Sequence, residues 1–279
     1  MTATVETPSG KTATDENFPV GSWLIRADLR PHVHVFYRFA RTADDIADNP
    51  ALTPDEKVQR LNRMEAVLLG APGDDAPDAA AMRQSLRETE IAPDNCRDLM
   101  VAFRRDATKL RYADWDDLMD YCRYSAAPVG RQVLDLHRAP PAAKRPSDAL
   151  CAALQVLNHL QDCALDYAGL DRVYLPEKEL AACGGTIEDL RAARASMGLR
   201  KTIDVLLDGI DRLMRSARRL PAAVPDLRLR AECATIVTLA ETLSGRLRRE
   251  DPVAGRVALS KSDFAAAAGV GFWRMVFPW

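Results

Sequence analysis

Two stretches of this chain place carboxylates at helical spacing inside otherwise apolar sequence. Tyr37, Arg41, Asp44 and Asp48 stand at offsets 0, 4, 7 and 11; Gln155, Asn158, Asp162 and Asp166 stand at offsets 0, 3, 7 and 11. At 3.6 residues per turn each set leaves one face of a helix, as a stripe roughly 16 Å long. Asp45 is rotated about 100° off the first stripe, which gives Asp44 and Asp48 the ligand role and Asp45 a secondary one. A polar stripe in an apolar helix is costly to bury without partners. The two helices, far apart in sequence, are therefore expected to face each other across a shared cavity.

Facing carboxylates suit Mg²⁺, which takes one or two protein carboxylates, keeps waters and completes its shell with phosphate oxygens. The pattern points to several Mg²⁺ ions gripping a diphosphate, with Arg41 forking onto it. Each stretch also has a plainer reading. Asp44, Asp45 and Asp48 suit a solvated helix end before Asn49-Pro50, although three carboxylates are unfavourable beside a helix C-terminus. The second stretch also suits a buried polar network or a wetted helix face.

The rest of the chain agrees with an all-α, single-domain bundle around a central cavity. Its 279 residues are 47% hydrophobic, enough for a sizeable core. Helical periodicity predicts helices over 29–48, 54–69, 78–90, 93–109, 114–136, 146–169, 186–220 and 225–249. Asn49-Pro50, the 71–75 turn, Pro-rich 139–146 and Leu220-Pro221 punctuate them. Net charge is -2, with charges interspersed, which argues against nucleic acid as a partner. The six cysteines show no CxxC spacing and read as reduced, buried thiols of a cytoplasmic protein. Residues 1–16 read as a disordered polar arm and not a signal peptide. No stretch has the apolar length of a membrane span. Residues 263–279 form an apolar tail with Phe272, Trp273, Met275, Val276, Phe277 and Trp279, suited to peripheral contact with a membrane or to docking on protein. The histidines His32, His34, His137 and His159 read as core or surface residues, His159 being rotated off the second stripe.

Three segments, FYRFARTADDIAD at 36–48, YCRYSAAPVG at 121–130 and NHLQDCALDYAGLDRVYLP at 158–176, together resemble the squalene/phytoene synthase family over roughly residues 15–262. ENFPVGSWLI at 16–25 and the YCRYSAAPVG and NHLQDC forms resemble the bacterial branch that makes hydroxysqualene for hopanoids. The resemblance implies an isoprenoid synthase with a catalytic domain over 17–262, taking presqualene diphosphate to hydroxysqualene by ionisation, cation rearrangement and water capture. It implies two or three Mg²⁺ ions held by Asp44, Asp48, Asp162 and Asp166, and no nicotinamide cofactor. Tyr37 and Arg41 are implied to touch phosphate, joined by Arg172 and Tyr174. Asn158 and Gln155 would orient substrate or a metal-bound water. Tyr121 would steady positive charge, and Val129, Gly130 and Leu134 would line the prenyl tunnel. Presqualene diphosphate synthase and a hydroxysqualene reductase are the implied pathway neighbours. Two departures from the wider family stand out: Ala-Ala-Pro-Val-Gly at 126–130 for Ala-Gly-Thr-Val-Gly, and Gln161 where many relatives carry Arg. Losing that cation favours a substrate with one diphosphate. Condensation of two farnesyl diphosphates is the nearest alternative, and an all-α Mg²⁺-dependent nucleotide pyrophosphohydrolase is a second.

Overall fold

The structure is a computed structural model that describes residues 4–6 and 24–276. Among the described residues the only bridge of strand type pairs Arg111 with Val173; regular structure is otherwise helical. Helices α1 (Arg30–Asp48), α2 (Pro54–Leu68), α3 (Pro77–Thr89) and α4 (Asp94–Asp106) make the first group. Then follow α5 (Trp115–Ser125), α6 (Ala127–Leu136), α7 (Lys144–Gln161), α8 (Cys163–Leu170) and α9 (Glu177–Ala182). The chain closes with α10 (Met197–Ala217), α11 (Leu220–Ala223), α12 (Leu227–Leu247) and α13 (Lys261–Val276).

Local chemistry starts these helices where it should. Thr53 and Glu56 form a reciprocal capping box at the head of α2, with Pro54 at a position that needs no N–H. Asp114, Ser196 and Asp226 accept backbone N–H bonds at the heads of α5, α10 and α12. The core divides into two clusters. Phe36, Phe39, Ala43 and Ile46 of α1 pack on Leu61 and Met64 of α2, Met82 of α3 and Leu99 of α4. The larger cluster centres on α7, α10 and α12, through Leu157, Leu160, Ile203, Leu207, Ala240 and Leu243. The cavity lies between them, floored by α1 on one side and α7 and α12 on the other.

Three predicted helical spans are corrected. The span 114–136 is two helices, because Pro128 has no N–H to continue the ladder and its ring crowds the preceding turn; Ala126 departs from helical geometry (φ −113°, ψ −48°). The span 146–169 is interrupted at Asp162, and 186–220 holds a short 3₁₀ turn (Ile187–Arg191) and an extended link before α10. The tail is largely a helix: α13 lies along α12, and a Cβ on Gly271 would meet Thr235 Oγ1 at 2.2 Å. Phe277 and Trp279 lie outside the described residues, as does most of the arm and of the 16–25 segment. The three described arm residues dock on the bundle. Val5 N–H donates to the Asp75 carbonyl (2.9 Å), and the Glu6 carboxylate accepts from the Asp78 backbone N–H (2.8 Å) in the first turn of α3.

Candidate active site

The cavity has a volume of about 580 Å³, and all four candidate ligands, Asp44, Asp48, Asp162 and Asp166, line one end of it. Tyr37, Arg41, Tyr121, Val129, Gly130, Leu134, Gln155, Asn158, Arg172 and Tyr174 line it too. The two stripes thus share one space. They do so through different local structures. Asp44 lies inside α1 and Asp48 is its last residue. Asp162 sits in the bridge region (φ −105°, ψ 9°) between α7 and α8. The interruption is one residue deep: Asp162 N–H still reaches Asn158 (3.0 Å) and Asp166 N–H reaches Asp162 (2.8 Å), so Asp166 keeps facing the cavity. The second stripe is therefore not the uninterrupted helix face that spacing predicts.

Arg172 is brought to the site by the end of α8. Asp171 takes a left-handed conformation (φ 50°) and turns the chain back, where Val173 N–H bonds the Leu110 carbonyl (2.9 Å). The Arg172 side chain, only 6% exposed, then donates to Asp48 (3.0 Å), to the Asp106 backbone carbonyl (2.8 Å) and to the Tyr174 hydroxyl (3.3 Å). It is a bound, buried cation and not a helix-end cap. Asp106, which periodicity alone does not single out, knits the group together. Its carboxylate accepts from Tyr121 (2.9 Å) and Tyr174 (3.2 Å). Burial pushes its carboxyl up to about 6 against the pull of Arg172.

Three of the four candidate ligands are held by arginine. Arg41 pairs with Asp44 (3.2 Å) and with buried Asp45 (2.8 Å), so Asp45 has the definite task of anchoring Arg41. Asp48 is held by Arg172, and Asp162 by Arg256 (2.6 Å) from the link between α12 and α13. Gln161 is tied to the same link: its side-chain amide donates to the Val257 carbonyl. So the residue that replaces an arginine of many relatives is buried outside the cavity lining and helps seat a cation that arrives from elsewhere in the chain. His159 is the other correction. It lines the cavity, stacks on Tyr174 with ring centroids 3.4 Å apart, and meets the Gln155 side chain at 3.0 Å.

The acidic end repels itself. Burial and then Asp48, one turn further along α1, raise Asp44 well above the usual carboxylate range, and burial and then Asp162 raise Asp166 to about 7. Hard oxygen donors under mutual repulsion are what a divalent cation relieves. Among the described residues no three His, Cys, Asp or Glu side chains converge as a complete metal cage. The other end of the cavity is apolar, with Leu150, Leu154, Leu229 and Ile236 in its walls. Gly130 lets α6 and α7 close up there, since a Cβ would meet Ser147 Oγ at 2.3 Å and Cys151 Sγ at 2.6 Å.

Residues 11–263 match the model of the squalene/phytoene synthase family. The chain belongs to this family. The synthase is 45% identical over 268 residues to a hydroxysqualene synthase of Rhodopseudomonas palustris, covering 96% of this chain and 91% of that one. A crystal structure of squalene synthase HpnC from Alicyclobacillus acidocaldarius superposes with a TM-score of 0.73 at 36% identity, over 82% of this chain and 87% of that one. A dehydrosqualene synthase in complex with ligand gives 0.76 at 19% identity, over 94% and 92%, and so shares the fold. The synthase is an enzyme of isoprenoid synthesis with the family's helical architecture.

Proposed function

We propose that this synthase converts presqualene diphosphate to hydroxysqualene in a Mg²⁺-dependent reaction. The observation that carries the reading is one cavity with four aspartates at one end and an apolar wall at the other. Substantial identity to a hydroxysqualene synthase supports the choice of reaction. The family match sets aside the nucleotide pyrophosphohydrolase.

Asp44, Asp48, Asp162 and Asp166 would hold two or three Mg²⁺ ions, which when bound neutralise the charge gathering on the departing diphosphate. Arg41, Arg172 and Arg256 stand beside three of these carboxylates and would take phosphate oxygens. Tyr37 would add a phosphate contact, and Asn158 would orient substrate or a bound water. The Tyr121 ring would steady the cation. Val129, Gly130 and Leu134 would shield the prenyl chains from bulk water. The reaction is redox-neutral and calls for no nicotinamide. Presqualene diphosphate synthase and a hydroxysqualene reductase are its chemical neighbours. No described helix is long and apolar enough to cross a membrane. Exposed Phe272 and Trp273 on α13 fit peripheral contact at the cytoplasmic face.

Product analysis by mass spectrometry, with Mg²⁺ and with presqualene or farnesyl diphosphate in separate reactions, tests this. Hydroxysqualene from the first and no turnover of the second is the expected result. Turnover of farnesyl diphosphate would replace the reading with head-to-head condensation.

A further inference from the structure

Water capture poses a problem that the acidic end does not solve. One water must stand beside a carbocation, held by groups that neither attack the cation nor repel it. We propose that the Gln155 side-chain amide holds this water and that His159, hydrogen-bonded to it, is the positioning residue that aims the amide. This rests on the hydroxysqualene reading above and deepens it.

Gln155 is half-buried in the cavity wall, seven residues before Asp162 on α7. At 1.5 Å per residue that places it about 10 Å along the helix from the metal end, among Leu150, Cys151 and Leu154. It thus marks the border between the diphosphate end and the apolar wall, where reacting carbons lie. Its one side-chain hydrogen bond among the described residues is to His159 Nε2. Whichever end of the amide meets the ring, the other remains for a water. An amide is a weak nucleophile and carries no charge, so it holds water beside a cation without competing for it.

His159 is fixed from two directions. Its ring lies flat on Tyr174 (interplanar 12°), whose hydroxyl is bonded into Asp106 and Arg172. Its edge meets Gln155. The amide's orientation is thereby tied to the same network that positions Arg172 at the diphosphate end. Burial, with nearby Arg172, drives the ring's pKa down to about 3, so it stays neutral and does not oppose a neighbouring carbocation.

The step balances. The substrate C–O bond breaks and its electron pair leaves with diphosphate. A lone pair of the held water forms the new C–O bond on the rearranged cation, and the proton this water sheds passes to the released diphosphate. Without a held water the cation is discharged by losing a proton from an adjacent carbon, giving a hydrocarbon.

The test measures diphosphate release and the ratio of alcohol to hydrocarbon from presqualene diphosphate with Mg²⁺, for wild type, Gln155→Met, His159→Phe and the double variant. Gln155→Met is near-isosteric at a cavity-facing position, and His159→Phe keeps the stack on Tyr174; a melting curve checks each fold. The expected result is a fall in the ratio of about tenfold or more in Gln155→Met, equivalent to about 1.4 kcal/mol, with diphosphate release less affected. His159→Phe should shift the ratio the same way, and the double variant should match Gln155→Met alone, because His159 acts through Gln155. A wild-type enzyme that makes the alcohol alongside folded variants with an unchanged ratio would overturn the proposal and leave the hydroxysqualene reading standing. A wild-type enzyme that makes no alcohol from presqualene diphosphate would overturn that reading and the proposal with it.

Discussion

Arg172 shows how much one side chain settles here. Its planar guanidinium reaches Asp48, the Asp106 carbonyl and Tyr174 at once. An ammonium has one centre and a flexible stem, so Arg172→Lys should lose most activity while remaining folded. Arg172→Leu would strand buried Asp106 with its carboxylate partly uncompensated, and a loss of about 3–5 kcal/mol by urea unfolding is expected. His159 gives a pH prediction. Its pKa falls from 6.5 in the unfolded chain to about 3 when buried. Between those values the unfolded chain binds a proton that the native one does not, so this residue's contribution to stability is complete above pH 6.5 and is lost as pH falls toward 3. Urea unfolding at pH 7 and 5 should therefore show a smaller acid loss in His159→Phe than in wild type. At this scale the aspartates were legible because spacing along one helix announces them. Asp106, His159 and Arg256 were not: each acquires its meaning from a partner on another element, and His159 lies off the stripe it serves.

Between elements, α6 and α7 approach closely in the cavity wall at Gly130. Gly130→Ala forces its Cβ onto Ser147 and Cys151, and an overpacking cost of about 1–3 kcal/mol is expected. Differential scanning calorimetry would measure it, and the tunnel should take the long prenyl chains less well, seen as a higher KM. The long helices α1, α2, α10 and α12 were legible from apolar periodicity and caps. Their interruptions were less so. Pro128 was visible but sat inside a pattern that continues on both sides. Asp162 carries neither Pro nor Gly, and the pull of Arg256 on its carboxylate comes from ninety-four residues away. Short α9 and α11 are below the length at which periodicity speaks, and the Ala- and Gly-rich sequence of α13 gives it a faint stripe.

As a whole the molecule has an ionic end to its cavity and, on α13, a surface with Phe272 and Trp273 60% and 61% exposed. Replacing both with Ser should reduce co-sedimentation with anionic liposomes while leaving turnover of detergent-dispersed substrate intact; unchanged co-sedimentation would remove the membrane contact. The fold class followed from two stripes that had to meet, whereas the manner of meeting depended on links that periodicity does not describe. Those links also set a schedule. Arg172 reaches Asp48 across 124 positions, and Arg256 and Val257 close on Asp162 and Gln161 across 94 and 96. A chain leaving the ribosome in N-to-C order displays both acidic faces long before the segment that carries Arg256 exists. Until then the second face lacks one of its counter-charges, so the active centre is among the last parts of the protein to be finished and the first to be lost if synthesis stops early.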